Sequence, residues 1–351
     1  MKNNFLKYFI LIILLCFIGL LSIYLSKNTV SNYYSYFCRQ LIYIIIGIIC
    51  FFAFSKINYN YIKKNSLLFY IVGIFFLIYT LFFGSVINGS RSWINLFGLS
   101  VQPSEFVKIL LLICLDNYIK TKYGLLKCFI LLIIPSILTF LQPDTGTVLF
   151  YIIIFFSIFI SLNLKKRYYI GLFSIFMIAI ISYFYLYFYQ SELFINIFGT
   201  SFFYRTDRII NFMNNEGFQL KKALIGIGNG GLFGNGTKYV TYIPESITDF
   251  MFANALTMFG FIGGLIIIFN FIIIDFELIK DIKMIKNNKY YIIGLFGLIL
   301  YQQIQHIFMN IGLLPITGIT LPFVSYGGSS LISYFILFGI LFNIKKYLKD
   351  T

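Results

Sequence analysis

Charge is scarce in this chain. Of 351 residues, 11% are Asp, Glu, Lys or Arg and 60% are hydrophobic. A soluble core cannot absorb that much apolar surface, which excludes an ordinary soluble domain. Histidine occurs once, as His306, and tryptophan once, as Trp93. The lone imidazole has no metal partner, and there is no Gly-x-Ser-x-Gly elbow for it to activate. His306 is therefore read as a side chain of a protein interior. The five cysteines, Cys16, Cys38, Cys50, Cys114 and Cys128, lie in or beside apolar runs without metal or disulfide spacing and read as small core residues. No Walker lysine-Ser/Thr ending follows the glycine-rich "IGIGNGGLFGNG" at 225–236. There is no internal repeat and no large soluble domain. Lys2 and Lys7 precede an apolar run that lacks a small-residue cleavage site, so that run is expected to stay as a first helix.

What is present is a series of apolar runs of membrane-spanning length. The expected fold is all-α and polytopic, a single membrane domain over 1–351 with about ten spans. They are placed at 8–26, 37–55, 66–84, 104–119, 125–141, 146–163, 168–189, 249–275, 290–311 and 327–344. Alternate connections hold the lysines: 56, 63 and 64; 120, 122 and 127; 165 and 166 with Arg167; 280, 283, 286 and 289. Both termini are lysine-bearing and fall on that same side. By the positive-inside rule it is cytoplasmic, and the net charge of +15 sets topology rather than binding nucleic acid. The other side receives 85–103, 142–145, 190–248 and 312–326. The segment 190–248 is the large extracytoplasmic loop, long for a connection and so functional or disordered.

Ionisable groups on that outer side can be weighed singly. In "GSRSWINLFGLSVQPSEFVKI" (89–109), Arg91 and Trp93 stand in a loop, Pro103 suits the first turn of a helix, and Glu105 and Lys108 pair at i,i+3. Trp93 reads equally as an interfacial anchor, and Glu105–Lys108 as either a structural or a functional ion pair. Asp144 in "QPDTGT" is expected to cap the sixth span. Arg205, Asp207 and Arg208 sit in "YRTDRI", and arginine suits bidentate phosphate binding. In "YIPESITDFMF" (242–252), Asp249 precedes an apolar run, so its carboxylate lies at headgroup level above an apolar wall. Partial desolvation there favours a carboxylate that takes up a proton, which suits a general base. A helix cap formed by Thr248 or Asp249 is the other reading. In "LPFVSYGGSSL" (321–331) the small residues permit close helix packing, and Ser325 and Ser329 can hydrogen-bond a ligand.

These segments, with "IGNGGLFGNG" and "GLLPITGITLPFVSYGGSSL", resemble the SEDS family of bacterial cell-wall proteins, the group of RodA, FtsW and SpoVE, in order and over essentially the whole chain. The resemblance implies a peptidoglycan glycosyltransferase that polymerises lipid II on the outer face of the cytoplasmic membrane. It implies a class B penicillin-binding protein as transpeptidase partner, and it puts the family's essential aspartate on Asp249. Substrate-binding roles fall on Arg91, Trp93, Glu105, Lys108, Arg208, Glu245, Ser325 and Ser329, with Lys108 and Arg208 best matched to a pyrophosphate site. A divalent cation such as Mg2+ on the pyrophosphate fits the chemistry, while Glu105, Asp144, Glu245 and Asp249 are too scattered to argue a metal site. The chain departs from the family at Ile247 and at Thr257 and Met258, where polar or acidic residues are usual. A lipid II flippase and an inactive scaffold for the transpeptidase are the alternative readings.

Overall fold

The computed structural model describes residues 2–347 except 88, 97, 163, 214–216, 238–240 and 287. Among them the helices are, in chain order, α1 (Lys2–Leu25), α2 (Tyr33–Lys56), the short α3 (Tyr59–Lys64), α4 (Ser66–Phe83), α5 (Pro103–Tyr118), α6 (Gly124–Leu141), α7 (Thr145–Ile160) and α8 (Lys166–Tyr189). Then come α9 (Ser191–Phe198), α10 (Thr200–Met213), α11 (Phe218–Gly230), α12 (Met251–Met284), α13 (Lys289–Asn310) and α14 (Gly328–Tyr347). Ten of these coincide with the ten apolar runs, and eight are long and apolar enough to cross a bilayer. The two exceptions, α5 and α7, have 16 residues each. At 1.5 Å per residue they reach about 24 Å, short of the ~30 Å hydrocarbon layer.

Helix α5 does not need to face lipid. It packs against α4, α6, α7, α13 and α14, and nearly all of it is buried. A helix enclosed by other helices can carry charge where a lipid-facing one cannot, and α5 carries Glu105, Lys108 and Asp116.

Two departures from the sequence reading concern connections it assigned to the outer side. Residues 85–101 form a small antiparallel meander, β1 (Ser85–Ile87), β2 (Ser90–Leu96) and β3 (Leu99–Val101), in the order β1-β2-β3. Ser85 pairs with Trp93, and Ile94 with Val101. The expectation of a long loop at 190–248 is also modified, since α9, α10 and α11 lie within it.

Hydrogen bonds sort the connections onto two ends of the bundle. At one end Lys7 pairs with Glu277 (2.6 Å), Lys345 with Asp281 (2.7 Å) and Lys63 with Asp116 (2.6 Å). Asp116 also accepts from the Tyr59 hydroxyl and the Tyr291 N–H. This end therefore gathers both termini, the α2–α4 connection and the α12–α13 turn, matching the alternation read from the lysines. At the other end Ser90 Oγ donates to Gln142 O (2.6 Å), Gln102 N–H to Ser329 Oγ (2.8 Å) and Ser325 Oγ to Thr248 O (2.9 Å). The segments that carry Ser90, Gln102, Gln142, Thr248, Ser325 and Ser329 meet there.

Candidate active site

The site is built around a break in α12. At Gly260 the backbone takes φ 70° and ψ −171°, and the helix divides into 251–259 and 261–284. The glycine-rich segment fills the break. Asn235 and Gly236 donate N–H groups to Thr257 O and Met258 O, while Phe261 and Ile262 donate to Gly231 O (2.9 Å) and Leu232 O (3.2 Å). Backbones touch here: a Cβ on Gly260 would stand 2.3 Å from Gly234 N. Two glycines of "IGNGGLFGNG", Gly230 and Gly234, thus serve close approach of main chain to main chain. Thr257 and Met258, the acid-to-neutral departures, lie at this junction and are buried, with the Thr257 hydroxyl donating to Ala253 O.

Asp249 ends the turn that leads into α12 and is half-buried. Glu245, exposed and with φ 51°, starts that turn and accepts from Thr248 N–H and Phe250 N–H. The residues just after Asp249, from Phe250 to Leu256, are buried, so the expected apolar wall stands below the carboxylate. Phe250 is the N-cap of α12 and provides no side-chain cap. The N–H groups of the second and third helical residues, which a capping side chain normally takes, are satisfied from α13 instead. His306 Nε2 accepts from Phe252 N–H (3.3 Å), and Asn310 Oδ1 accepts from Ala253 N–H (2.9 Å). Asn310 Nδ2 donates to Asp249 O (3.0 Å). A carbonyl can only accept, so the 2.8 Å contact between His306 Nδ1 and Ile319 O fixes the Nδ1–H tautomer of a neutral ring. His306 is thus a fully bonded interior residue, and it caps α12 together with Asn310.

The segment 312–327 closes over this turn. Gly318 lies beside Asp249: a Cβ there would be 3.7 Å from Asp249 Oδ2. Ser325 is buried, donating to Thr248 O and accepting from Leu321 N–H (3.0 Å). Tyr326 N–H donates to Ile247 O (2.8 Å), and Gln40 bonds both Ser325 O and Gly327 N–H. Burial pushes the Tyr326 phenol up from its ordinary value, against the pull of Arg39, so it remains a donor at neutral pH.

On the far side, Ile319 abuts Gly146, next to Asp144. Asp144 caps α7 at Thr147 N–H, as expected, and accepts from Gln102 Nε2 (2.6 Å). Below it, Lys108 is fully buried and ion-paired to Glu105, which also accepts from Ser333 Oγ (3.2 Å). The ammonium lies 4.2 Å from the Tyr334 ring centroid and 5.2 Å from that of Phe150. Ser329 is buried, its hydroxyl accepting from Gln102 N–H and donating to Ser100 O. The meander is stitched to this end through Ser90 and Ser92, and the alternation of β2 leaves Arg91 exposed and Trp93 half-buried. The Arg205 and Arg208 side chains lie outside the described residues. Among the described residues no three His, Cys, Asp or Glu side chains gather to hold a metal ion. That donor set does not fit a resident cation.

A family model described as "Cell cycle protein", that of FtsW, RodA and SpoVE, matches residues 3–350. The chain belongs to this family. It is 32% identical to a relative named "Probable peptidoglycan glycosyltransferase FtsW" from Wigglesworthia glossinidia brevipalpis, over 93% of this chain and 89% of that one. It is 30% identical to stage V sporulation protein E of Bacillus subtilis, over 96% of both. A chain from a structure described as "structural coordination of polymerization and crosslinking by a peptidoglycan synthase complex" superposes with TM-score 0.81 at 20% identity, over 96% of both chains. The rod shape determining protein RodA of Thermus thermophilus superposes with TM-score 0.69 at 22% identity, covering 96% of this chain and 95% of that one. The family, the apolar helices and these superpositions agree on an all-α, multi-pass membrane protein of the RodA fold.

The sequence reading missed Asn310, Gln40 and Gln102. A signal existed for the first: Gln302, Gln303, Gln305, His306 and Asn310 crowd polar groups into an otherwise apolar span.

Proposed function

We propose that this chain is a peptidoglycan glycosyltransferase that polymerises lipid II into glycan strands for cell-wall synthesis in elongation or division, with Asp249 as general base. Both termini are cytoplasmic, and the Asp249 end of the bundle opens at the outer face of the cytoplasmic membrane. The chain forms one membrane domain, with 190–248 as its large extracytoplasmic segment. Asp249 takes the proton of the acceptor sugar hydroxyl as that oxygen bonds to the anomeric carbon of the donor, whose bond to the lipid pyrophosphate breaks. Cationic side chains stabilise the departing pyrophosphate, a role for Arg91 and Arg208. Trp93 and Glu245 contact the sugars. Glu105, Lys108, Ser325 and Ser329 serve substrate from beneath, because their polar atoms hold the frame. The partner is a class B penicillin-binding protein, in keeping with the synthase complex whose chain superposes on this one.

The observation that carries this reading is the place of Asp249, half-buried at the start of α12 above an apolar wall and bordered by Gly318, with its main chain held by Asn310. The test is to purify the chain with its partner, add labelled lipid II and resolve the glycan products. Asp249→Asn is expected to lose at least ~100-fold in polymerisation at an unchanged melting temperature. Undiminished polymer in that variant ends the assignment of the base, and lipid translocation without polymer would establish a flippase.

A further inference from the structure

We infer that His306 and Asn310 are positioning residues of glycosyl transfer: from one face of α13 they hold the backbone that aims Asp249. The inference rests on the reading of Asp249 as base. The two side chains are four residues apart, so they project from the same face of α13, and both are fully buried. Between them they bond Asp249 O, Phe252 N–H and Ala253 N–H, and His306 also binds Ile319 O, one residue beyond the Gly318 that borders the Asp249 carboxylate. The wall on one side of the carboxylate and the helix start on its other side are therefore referenced to one element.

Capping needs neither residue to come from α13. A Ser, Thr, Asp or Asn at position 250 would satisfy the same N–H groups locally, whereas this chain has Phe250 there and no local cap. A local cap would leave residues 249–253 without their ties to α13, held only through the bonds of Ser325 and Tyr326 to Thr248 O and Ile247 O. The cap from α13 ties the turn to a second helix, and the bond to Asp249 O adds a contact that capping does not require. Neither side chain touches reacting atoms; each acts through the main chain of residues 249–253. Each supplies both a donor and an acceptor, and a glutamine at 306 can do the same. A displacement of a catalytic group by 1 Å can lower turnover by about 100-fold.

The experiment measures kcat and KM for labelled lipid II with the purified full chain and its partner, alongside the melting temperature. The variants are His306→Phe, His306→Gln, Asn310→Ala, Asn310→Asp and Asp249→Asn. We expect His306→Phe and Asn310→Ala to lose at least tenfold in kcat with KM within about twofold, and His306→Gln to recover most of that loss. Asn310→Asp keeps the acceptor for Ala253 N–H but loses the donor to Asp249 O, and is expected to fold with reduced kcat. Wild-type kcat in His306→Phe and Asn310→Ala, with Asp249→Asn inactive, overturns this inference and spares the base. Activity retained in Asp249→Asn overturns the base itself. A loss of kcat that tracks only the loss of folded protein, with no recovery in His306→Gln, also overturns the positioning role.

Discussion

Replacing Gly260 by alanine tests whether the break in α12 is imposed by the glycine-rich segment. The conformation at 260, φ 70° with ψ −171°, belongs to glycine, and a side chain there adds about 1–3 kcal/mol of strain. The new Cβ would also stand 2.3 Å from Gly234 N and 2.4 Å from Leu232 O, both main-chain atoms that cannot rotate away. Relief requires the two backbones to part, which breaks the bonds from Phe261 N–H and Ile262 N–H at roughly 1 kcal/mol each. The total is about 3–5 kcal/mol, or roughly 8 °C in melting temperature. The alternative relief is a straightened α12, which would swing 251–259 and the Asp249 turn out of register and abolish polymerisation. The assay is thermal unfolding in detergent, followed by size-exclusion fluorescence, with polymerisation on the same sample. Gly228→Ala is the control: it is helical and exposed, and a Cβ there meets nothing within 4 Å, so it is expected to gain up to ~1 kcal/mol and keep full activity. A Gly260→Ala protein that melts with the parent and polymerises normally would refute the account of the break.

The buried pair on α5 behaves as a unit. Lys108→Met or Glu105→Gln alone should destabilise by about 3–5 kcal/mol because one partner stays buried without the other, while the double change to apolar residues should unfold at a higher temperature than either single; thermal unfolding of the three variants decides. Ser325→Ala leaves Thr248 O and Leu321 N–H without their hydroxyl partner and should cost about 1–3 kcal/mol, with lower turnover, since it loosens the turn that ends in Asp249. Arg91→Ala, at an exposed strand position, should change stability by no more than ~0.5 kcal/mol yet raise KM for lipid II several-fold; an unchanged KM removes Arg91 from the substrate site.

The membrane-spanning skeleton was legible because hydropathy over about 20 residues is a strong signal and the lysines alternate with it. Even α5, interrupted by three charged residues, was readable from its apolar run and from Pro103 at its first turn. The meander was not, since strands of three residues leave too little alternation to register against an apolar background. Helices α9 to α11 were lost inside a segment judged by its lack of membrane-length hydropathy. Asp249 stood out because it is an acid at the edge of an apolar run. Its supports did not, because Asn310 lies 61 residues further along and meets Asp249 only when α12 and α13 fold back on one another. Ser325 was legible as a hydrogen-bonding group, but nothing local says that its partners are Thr248 O and Leu321 N–H.

The main chain beside Asp249 is fastened by a chemistry different from that of the end with both termini, and the difference bears on function. The end with both termini is tied by ion pairs, Lys7–Glu277, Lys63–Asp116 and Lys345–Asp281. Around Asp249 the main chain of residues 247–253 is held from other elements by a hydroxyl, an amide, an imidazole and a main-chain N–H, all neutral, while the Thr248 hydroxyl donates to the Glu245 carboxylate (2.8 Å). An ammonium used as a fastener there would stabilise the Asp249 carboxylate and weaken it as a base; a carboxylate used so would repel the pyrophosphate of an incoming lipid. Neutral bonds fix the backbone without either effect. Introducing charge into the fastening should therefore harm turnover more than folding. Asn310→Asp tests this directly, since it exchanges one neutral tie for an anionic one while keeping the acceptor that caps α12.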